Sequence, residues 1–266
     1  MRLVENAKHR IVAVVSGAPD PSSGGGTLWR AAEKLGYQTW PAKLIKDAEF
    51  GDLVRSTEVD ALLNVHSLVI INGAVLALPR IGSFNMHPGP LPRYAGLNAV
   101  SWAAYRRETT YGATIHRMVS EIDAGPIVYQ SFLSDRETGH SVVAHLQMRQ
   151  NRLTITGALA RSSIDQSRRY SVHTSELFAM RALWQRDSQR RPALLVVERP
   201  HEVVNFVRAC DYFPICSPWK HPRTRLGDQD ISVLQAGMSG QACGILLPGM
   251  VRDSDGTGTR VAATNG

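Results

Sequence analysis

The chain has 266 residues, 43% hydrophobic and 20% charged, an ordinary globular composition with room for one main domain and a smaller companion. No apolar stretch approaches the roughly 18 residues of a membrane span, and Glu5, Lys8 and Arg10 break the N-terminal run that a secretory leader needs, so the expected location is the cytoplasm with no membrane partner. The formal net charge of +7 suits an acidic partner, and most of the excess is local: residues 149–191 hold nine arginines (Arg149, Arg152, Arg161, Arg168, Arg169, Arg181, Arg186, Arg190 and Arg191) against Asp165, Glu176 and Asp187. A nucleic acid backbone, an acidic protein and a merely solvated helix face all fit that patch.

From Arg10, IVAVVS is a short β-branched run, followed by a Gly/Ser/Pro-rich loop through Gly26 and then TLWRAAEKLG, with helical spacing and a glycine stop. Glycines 24–26 match neither phosphate-loop pattern, so a flexible turn is expected there, with Thr27 able to cap the helix. A strand near Gln38–Trp40, a polar helix around Asp47–Arg55, and strands at Ala61–Val65 and Ser83–Met86 continue the alternation. Such an order predicts an α/β fold with a doubly wound, mostly parallel sheet.

Within SFNMHPGPLPRYAG, Asn85 and His87 stand two apart on a strand end, so they share a face as a donor pair. The prolines at 88, 90 and 92 then enforce an open loop at the strand's carboxyl edge, where ligands bind in α/β sheets. LNAVSWAAYRRE reads as a helix, GATIHRM and IVYQSFL as strands, and EIDAGP as the turn between them, carrying Asp123. A long helix is expected from near His140 to about Ser162, with Val142, Leu146 and Leu153 on one stripe.

The Arg/Ser-rich stretch beyond it reads as leading into a linker, giving a catalytic domain over 1–180, a linker over 181–199 and a β-rich subdomain over 200–266. In that last part PHEVVNFVRA is a helix with proline in its first turn, and ISVLQA, CGILLPGMV and TRVAAT are short β-like runs of a small barrel. The final VAATNG opens a hairpin with no return strand, which fits a piece of a larger polypeptide. Cys210, Cys216 and Cys243 lack paired ligand spacing and are expected to be free thiols without a metal.

Three ordered blocks, LPRIGSFNMHPGPLPRYAG, GATIHRM and EIDAGPIV, resemble the formyltransferases that use 10-formyltetrahydrofolate, a family including methionyl-tRNA, amino-sugar and peptide-synthetase formylating enzymes. The resemblance is close over about 60–150, looser over the N-terminal part and one of layout only beyond. It implies a Rossmann-like formyltransferase fold with an OB-like, truncated C-terminal subdomain. Asn85, His87 and Asp123 match the family's catalytic set. Leu68, Ile70 and Ile71, in HSLVIING, match the apolar loop that carries the pteridine, with Asp123 beside it.

The implied chemistry is acyl transfer from 10-formyltetrahydrofolate to an amine, without a metal. Asn85 would donate to the developing oxyanion, His87 would serve as second donor or proton source, and Asp123 would orient the imidazole. Thr114 and His116 on the neighbouring strand read as structural, Thr114 also as a partner behind the site. RYAGLNAVSWA is similar to formylation domains of nonribosomal peptide synthetases, which implies an amino acid on an acidic carrier protein as acceptor. Methionyl-tRNA, an amino-sugar nucleotide, another biosynthetic amine and a non-catalytic folate-binding module remain the alternatives.

Overall fold

The computed structural model describes residues 10–19, 28–65, 67, 69–134, 200–212, 221–226, 228–239, 246, 250–256 and 258–262. The expected linker over 181–199, the helix from His140, the arginine-rich stretch, the glycine loop at 24–26, Leu68, Cys216 and Cys243 lie outside them. No helix among the described residues is long and apolar enough to cross a membrane.

The chain divides into two compact units, the first comprising Met1–Pro92, Ala113–Ser131 and Asn151–Val172. Strand β1 (Ala13–Ser16) pairs in parallel with β2 (Gln38–Pro41), and helix α1 (Leu28–Lys34) lies between them in sequence. Gly36, at φ 74°, closes α1 in the left-handed region, where its N–H reaches the Glu33 carbonyl and that of Tyr37 the Ala32 carbonyl. A 3-10 turn at Ala42–Lys46 leads into α2 (Ala48–Ser56). Phe50 and Val54 of α2 recur at helical spacing and pack with Trp40, Ile45 and Val75, the Trp40 and Phe50 rings meeting edge to face.

Strand β3 (Ala61–Val65) edges the main sheet and runs parallel to β4 (Gly82–His87), with the short helix α3 (Gly73–Leu76) between them, capped by the Asn72 side chain. Beyond β4 come β5 (Thr110–Arg117) and β6 (Ile127–Ser134), giving the order β3-β4-β5-β6. The parallel pairing of β1 with β2 and of β3 with β4 fits the mostly parallel sheet expected, and β5 is antiparallel to β4, Asn85 standing opposite His116 and His87 opposite Thr114. The connection from β4 to β5 carries α4 (Ala99–Tyr105). Strand β4, buried along most of its length and flanked by β3 and β5, carries Asn85 and His87.

The second unit comprises Arg93–Gly112, Phe132–Gln150 and His173–Gly266. Its described core sets Tyr94, Ala99, Val100, Ala103, Tyr111 and Tyr212 together, with Ser101 Oγ and Tyr212 Oη sharing a buried hydrogen bond of 2.8 Å. Trp102 and Tyr105 of α4 and Phe206 of α5 (Pro200–Ala209) pack around Ala209 and Cys210. The C-terminal strands form two antiparallel ribbons, β7 (Arg223–Leu226) with β8 (Gln229–Ser232) and β9 (Val251–Asp255) with β10 (Gly258–Val261). These strands are offset from the apolar runs: β8 ends at Ser232 inside ISVLQA, and β9 begins only at the last residue of CGILLPGMV.

Burial pushes the Cys210 thiol up to about 12. An exposed thiol in the unfolded chain ionises near about 8.5, so the unfolded state sheds a proton first, and the stability this group contributes is lost as pH rises past that value. Native protein at pH 8 is therefore expected to leave Cys210 unmodified by iodoacetamide, with alkylation appearing in denaturant; peptide mass spectrometry reads both.

Candidate active site

Because side chains two apart on a strand share a face, Asn85 and His87 of β4 and Thr114 and His116 of β5 form a four-cornered polar group on one face of the sheet. The turn after β5 folds Asp123 over it. Asp123 Oδ2 lies 3.4 Å from His87 Nδ1, and Oδ1 lies 3.4 Å from both His116 Nε2 and Asn85 Nδ2. All three charged or chargeable groups are enclosed, His87 being 4%, His116 2% and Asp123 8% exposed. A carboxylate so enclosed needs hydrogen-bonding partners, and the Asn85 amide and the His87 imidazole stand within reach of it.

Asp123 itself is held at φ 57°, a left-handed conformation costing roughly 1 kcal/mol for a non-glycine residue and borne best by Asp and Asn. Backbone contacts enforce it: Arg117 N–H donates to the Pro126 carbonyl at 2.9 Å and Met118 N–H to Ser83 at 2.8 Å, closing the turn against β4. Gly125 packs directly on the Arg117 carbonyl.

The partners fix the ring orientation of His116. Its Nδ1 meets the Arg117 carbonyl at 3.1 Å, and a carbonyl only accepts, so Nδ1 carries a proton; with the ring neutral, Nε2 then accepts from Asn85 Nδ2 at 3.2 Å. The two hydrogens of the Asn85 amide thus span His116 Nε2 and Asp123 Oδ1. On the other side, Asn64 Nδ2 donates to Asn85 Oδ1 at 3.1 Å.

The proline loop is tied down separately. Thr114 Oγ1 donates to the Gly89 carbonyl at 2.8 Å and accepts from Leu91 N–H at 3.0 Å. Gln130 Nε2 reaches both Thr114 Oγ1 at 3.0 Å and the Leu91 carbonyl at 2.8 Å. The segment leaving His87 is therefore fixed by buried hydrogen bonds, the requirement for holding a reactive imidazole within a fraction of an ångström.

Asn85, His87 and Asp123 thus converge, and Thr114 ties down the loop that follows His87. His116, expected to be structural only, touches both Asn85 and Asp123, and Asn64 of β3 and Gln130 of β6, which the sequence reading did not single out, join from the neighbouring strands. Of the apolar-loop residues, Ile70 is 69% exposed, while Ile71 packs with Val69 against the core around Phe50 and Val75.

Residues 3–147 match the family model described as Formyl transferase. The chain is 31% identical over 137 residues to a methionyl-tRNA formyltransferase from Ehrlichia ruminantium, covering 50% of this chain and 45% of that protein. To one from Thermotoga maritima it is 33% identical over 138 residues, covering 50% and 44%. The chain thus spans about half the length of the curated relatives it matches. A sugar N-formyltransferase from Shewanella sp. superposes with a TM-score of 0.58 over 85% of each chain at 16% identity, a likeness of fold. With a family match running from the first strand past the Asp123 turn, and a fold shared with a solved formyltransferase, this chain belongs to the formyl transferase family.

Proposed function

We propose that this chain is a formyltransferase that moves a formyl group from 10-formyltetrahydrofolate to a primary amine, using Asn85, His87 and Asp123. The observation that carries the reading is a half-buried amide donor and a buried imidazole that each stand 3.4 Å from one buried carboxylate, in a chain of this family. The donor set suits a formyl donor: an amide N–H for the carbonyl oxygen, an imidazole for the folate nitrogen, and the exposed Ile70 as apolar surface for a pterin. Asn85 Nδ2–H would leave its long 3.4 Å contact with Asp123 to donate to the oxygen on which negative charge gathers. A preorganised donor of this kind lowers the barrier by about 3 kcal/mol.

His87, turned by Asp123 at Nδ1, would supply the proton to the leaving nitrogen through Nε2. Asp123 would accept the proton lost by the attacking amine, directly or through water, so that the two proton transfers stay within the enclosed site. Leu68, Ile70 and Ile71 are the proposed pterin-loop residues, and the cytoplasm is the compartment in which such one-carbon metabolism would be served.

The acceptor we propose is an amino acid tethered to an acidic carrier protein, as in nonribosomal peptide biosynthesis. Support comes from the RYAGLNAVSWA segment and the residues just after it, where Arg93, Arg106 and Arg107 are exposed, Arg93 and Arg106 lying over the Tyr94 ring and Arg106 also over Trp102. Methionyl-tRNA is the second reading, favoured by the names of the curated relatives. To separate them, the protein would be incubated with 10-formyltetrahydrofolate and aminoacyl carrier protein, charged initiator tRNA, an amino-sugar nucleotide or hydroxyornithine. Gain of one CO unit by mass spectrometry on the carrier-bound amino acid is expected. Gain on the tRNA alone, with acceptor affinity falling steeply as salt rises, would move the assignment to the second reading.

A further inference from the structure

We infer that Asn64 is a positioning residue that decides which end of the Asn85 amide faces the reaction. Asn64 of β3, Asn85 of β4 and His116 of β5 are direct register partners, so they form one row across three strands. The hydrogen bonds along this row all point one way: Asn64 Nδ2 donates to Asn85 Oδ1 at 3.1 Å, Asn85 Nδ2 donates to His116 Nε2 at 3.2 Å, and His116 Nδ1 donates to the Arg117 carbonyl at 3.1 Å. With His116 neutral, such a chain has one self-consistent polarity, because its far end is a carbonyl that can only accept and its flank is the Asp123 carboxylate.

An asparagine amide is nearly symmetrical in shape, and turned over it would present an acceptor where the proposed chemistry needs a donor. His116 and Asp123 hold the NH2 end, and Asn64 holds the oxygen end away from it. Asn64 is the polar member of an otherwise apolar strand, ALLNV, at the position directly opposite Asn85.

The inference rests on the donor role proposed for Asn85, and two variants separate it from a packing role. Asn64→Asp keeps the shape but can only accept, so it would draw the Asn85 NH2 toward β3. Asn64→Leu keeps the bulk and leaves Asn85 bonded to His116 and Asp123. In single-turnover formyl transfer from 10-formyltetrahydrofolate to the amine that wild type accepts, the aspartate variant is expected to lose roughly 10²-fold in rate. The leucine variant should lose far less, and KM for the donor should barely change in either. Losses that are equal in the two variants, or that follow their melting temperatures, would overturn the inference, as would an Asn64→Asp enzyme as fast as wild type.

A second readout needs no acceptor. Imidazole ¹⁵N spectra should show His116 Nε2 as a bare acceptor in wild type and as a protonated nitrogen in Asn64→Asp, because the turned amide would face it with oxygen. An unchanged His116 signature in that variant would overturn the positioning role. A wild type inactive toward every amine, yet showing the expected His116 change, would instead overturn formyl transfer and leave the polar row standing.

Discussion

Asn85→Ala, His87→Ala and Asp123→Asn are each expected to lower formyl transfer from 10-formyltetrahydrofolate by roughly 10²- to 10⁴-fold while the protein remains folded. Asn85→Ala removes the donor proposed for the oxyanion and strands both Asn64 Nδ2 and His116 Nε2, so a stability loss of about 1–3 kcal/mol accompanies it. His87→Ala removes the proton source for the leaving folate nitrogen, and its cost should shrink with a formyl donor whose leaving nitrogen needs less protonation. Asp123→Asn is cleaner than Asp123→Ala, since asparagine also tolerates the left-handed backbone at φ 57°. Because the three groups share contacts, the double variants should be little worse than the worst single one. Rapid-quench kinetics on the variants, with thermal melts as the folding control, reads all of this.

Gly125→Ala is expected to disable the enzyme by a different route. A Cβ at Gly125 would sit 1.7 Å from the Arg117 carbonyl oxygen and 2.9 Å from its carbon, and the obstacle is backbone, with no flexible tip to swing aside. That carbonyl already accepts from His116 Nδ1, and Arg117 N–H is bonded to the Pro126 carbonyl at 2.9 Å, so neither wall of the turn can yield alone. Overpacking of this kind costs typically about 1–3 kcal/mol. The melting temperature should fall by several degrees, and the displaced turn carries Asp123 with it. Residual activity well below the melting point should be down at least tenfold, distinguishing a moved carboxylate from simple unfolding; calorimetry and kinetics on the same sample decide it.

The strands and helices were legible where side-chain chemistry is local. Ala61–Val65 and Pro200–Ala209 fall where the apolar pattern and the N-terminal proline put them, and Asn85 and His87 were paired by the two-residue period of a strand. Asp123 was found through the EIDAGP block, whose glycine has its own steric reason to be there. What was hidden depended on strand direction. With β5 antiparallel, His116 falls opposite Asn85, and no spacing within GATIHRM announces this. Asn64 was overlooked because ALLNV reads as an apolar strand, although a lone amide in such a run was the available signal. Gln130 escaped because its partner is remote, its amide reaching a loop carbonyl 39 positions away in sequence.

The proposal stands on a single geometric claim, that the formyl carbonyl lies under Asn85 with the folate nitrogen toward His87. A crystal structure of the protein with an unreactive formylated folate analogue tests it most directly. The formyl oxygen is expected within about 3.2 Å of Asn85 Nδ2, hydrogen-bonding range, with Asp123 still beside the His87 ring. An analogue bound with its formyl group away from Asn85, or an Asn85 amide turned oxygen-first toward it, would contradict the proposed chemistry.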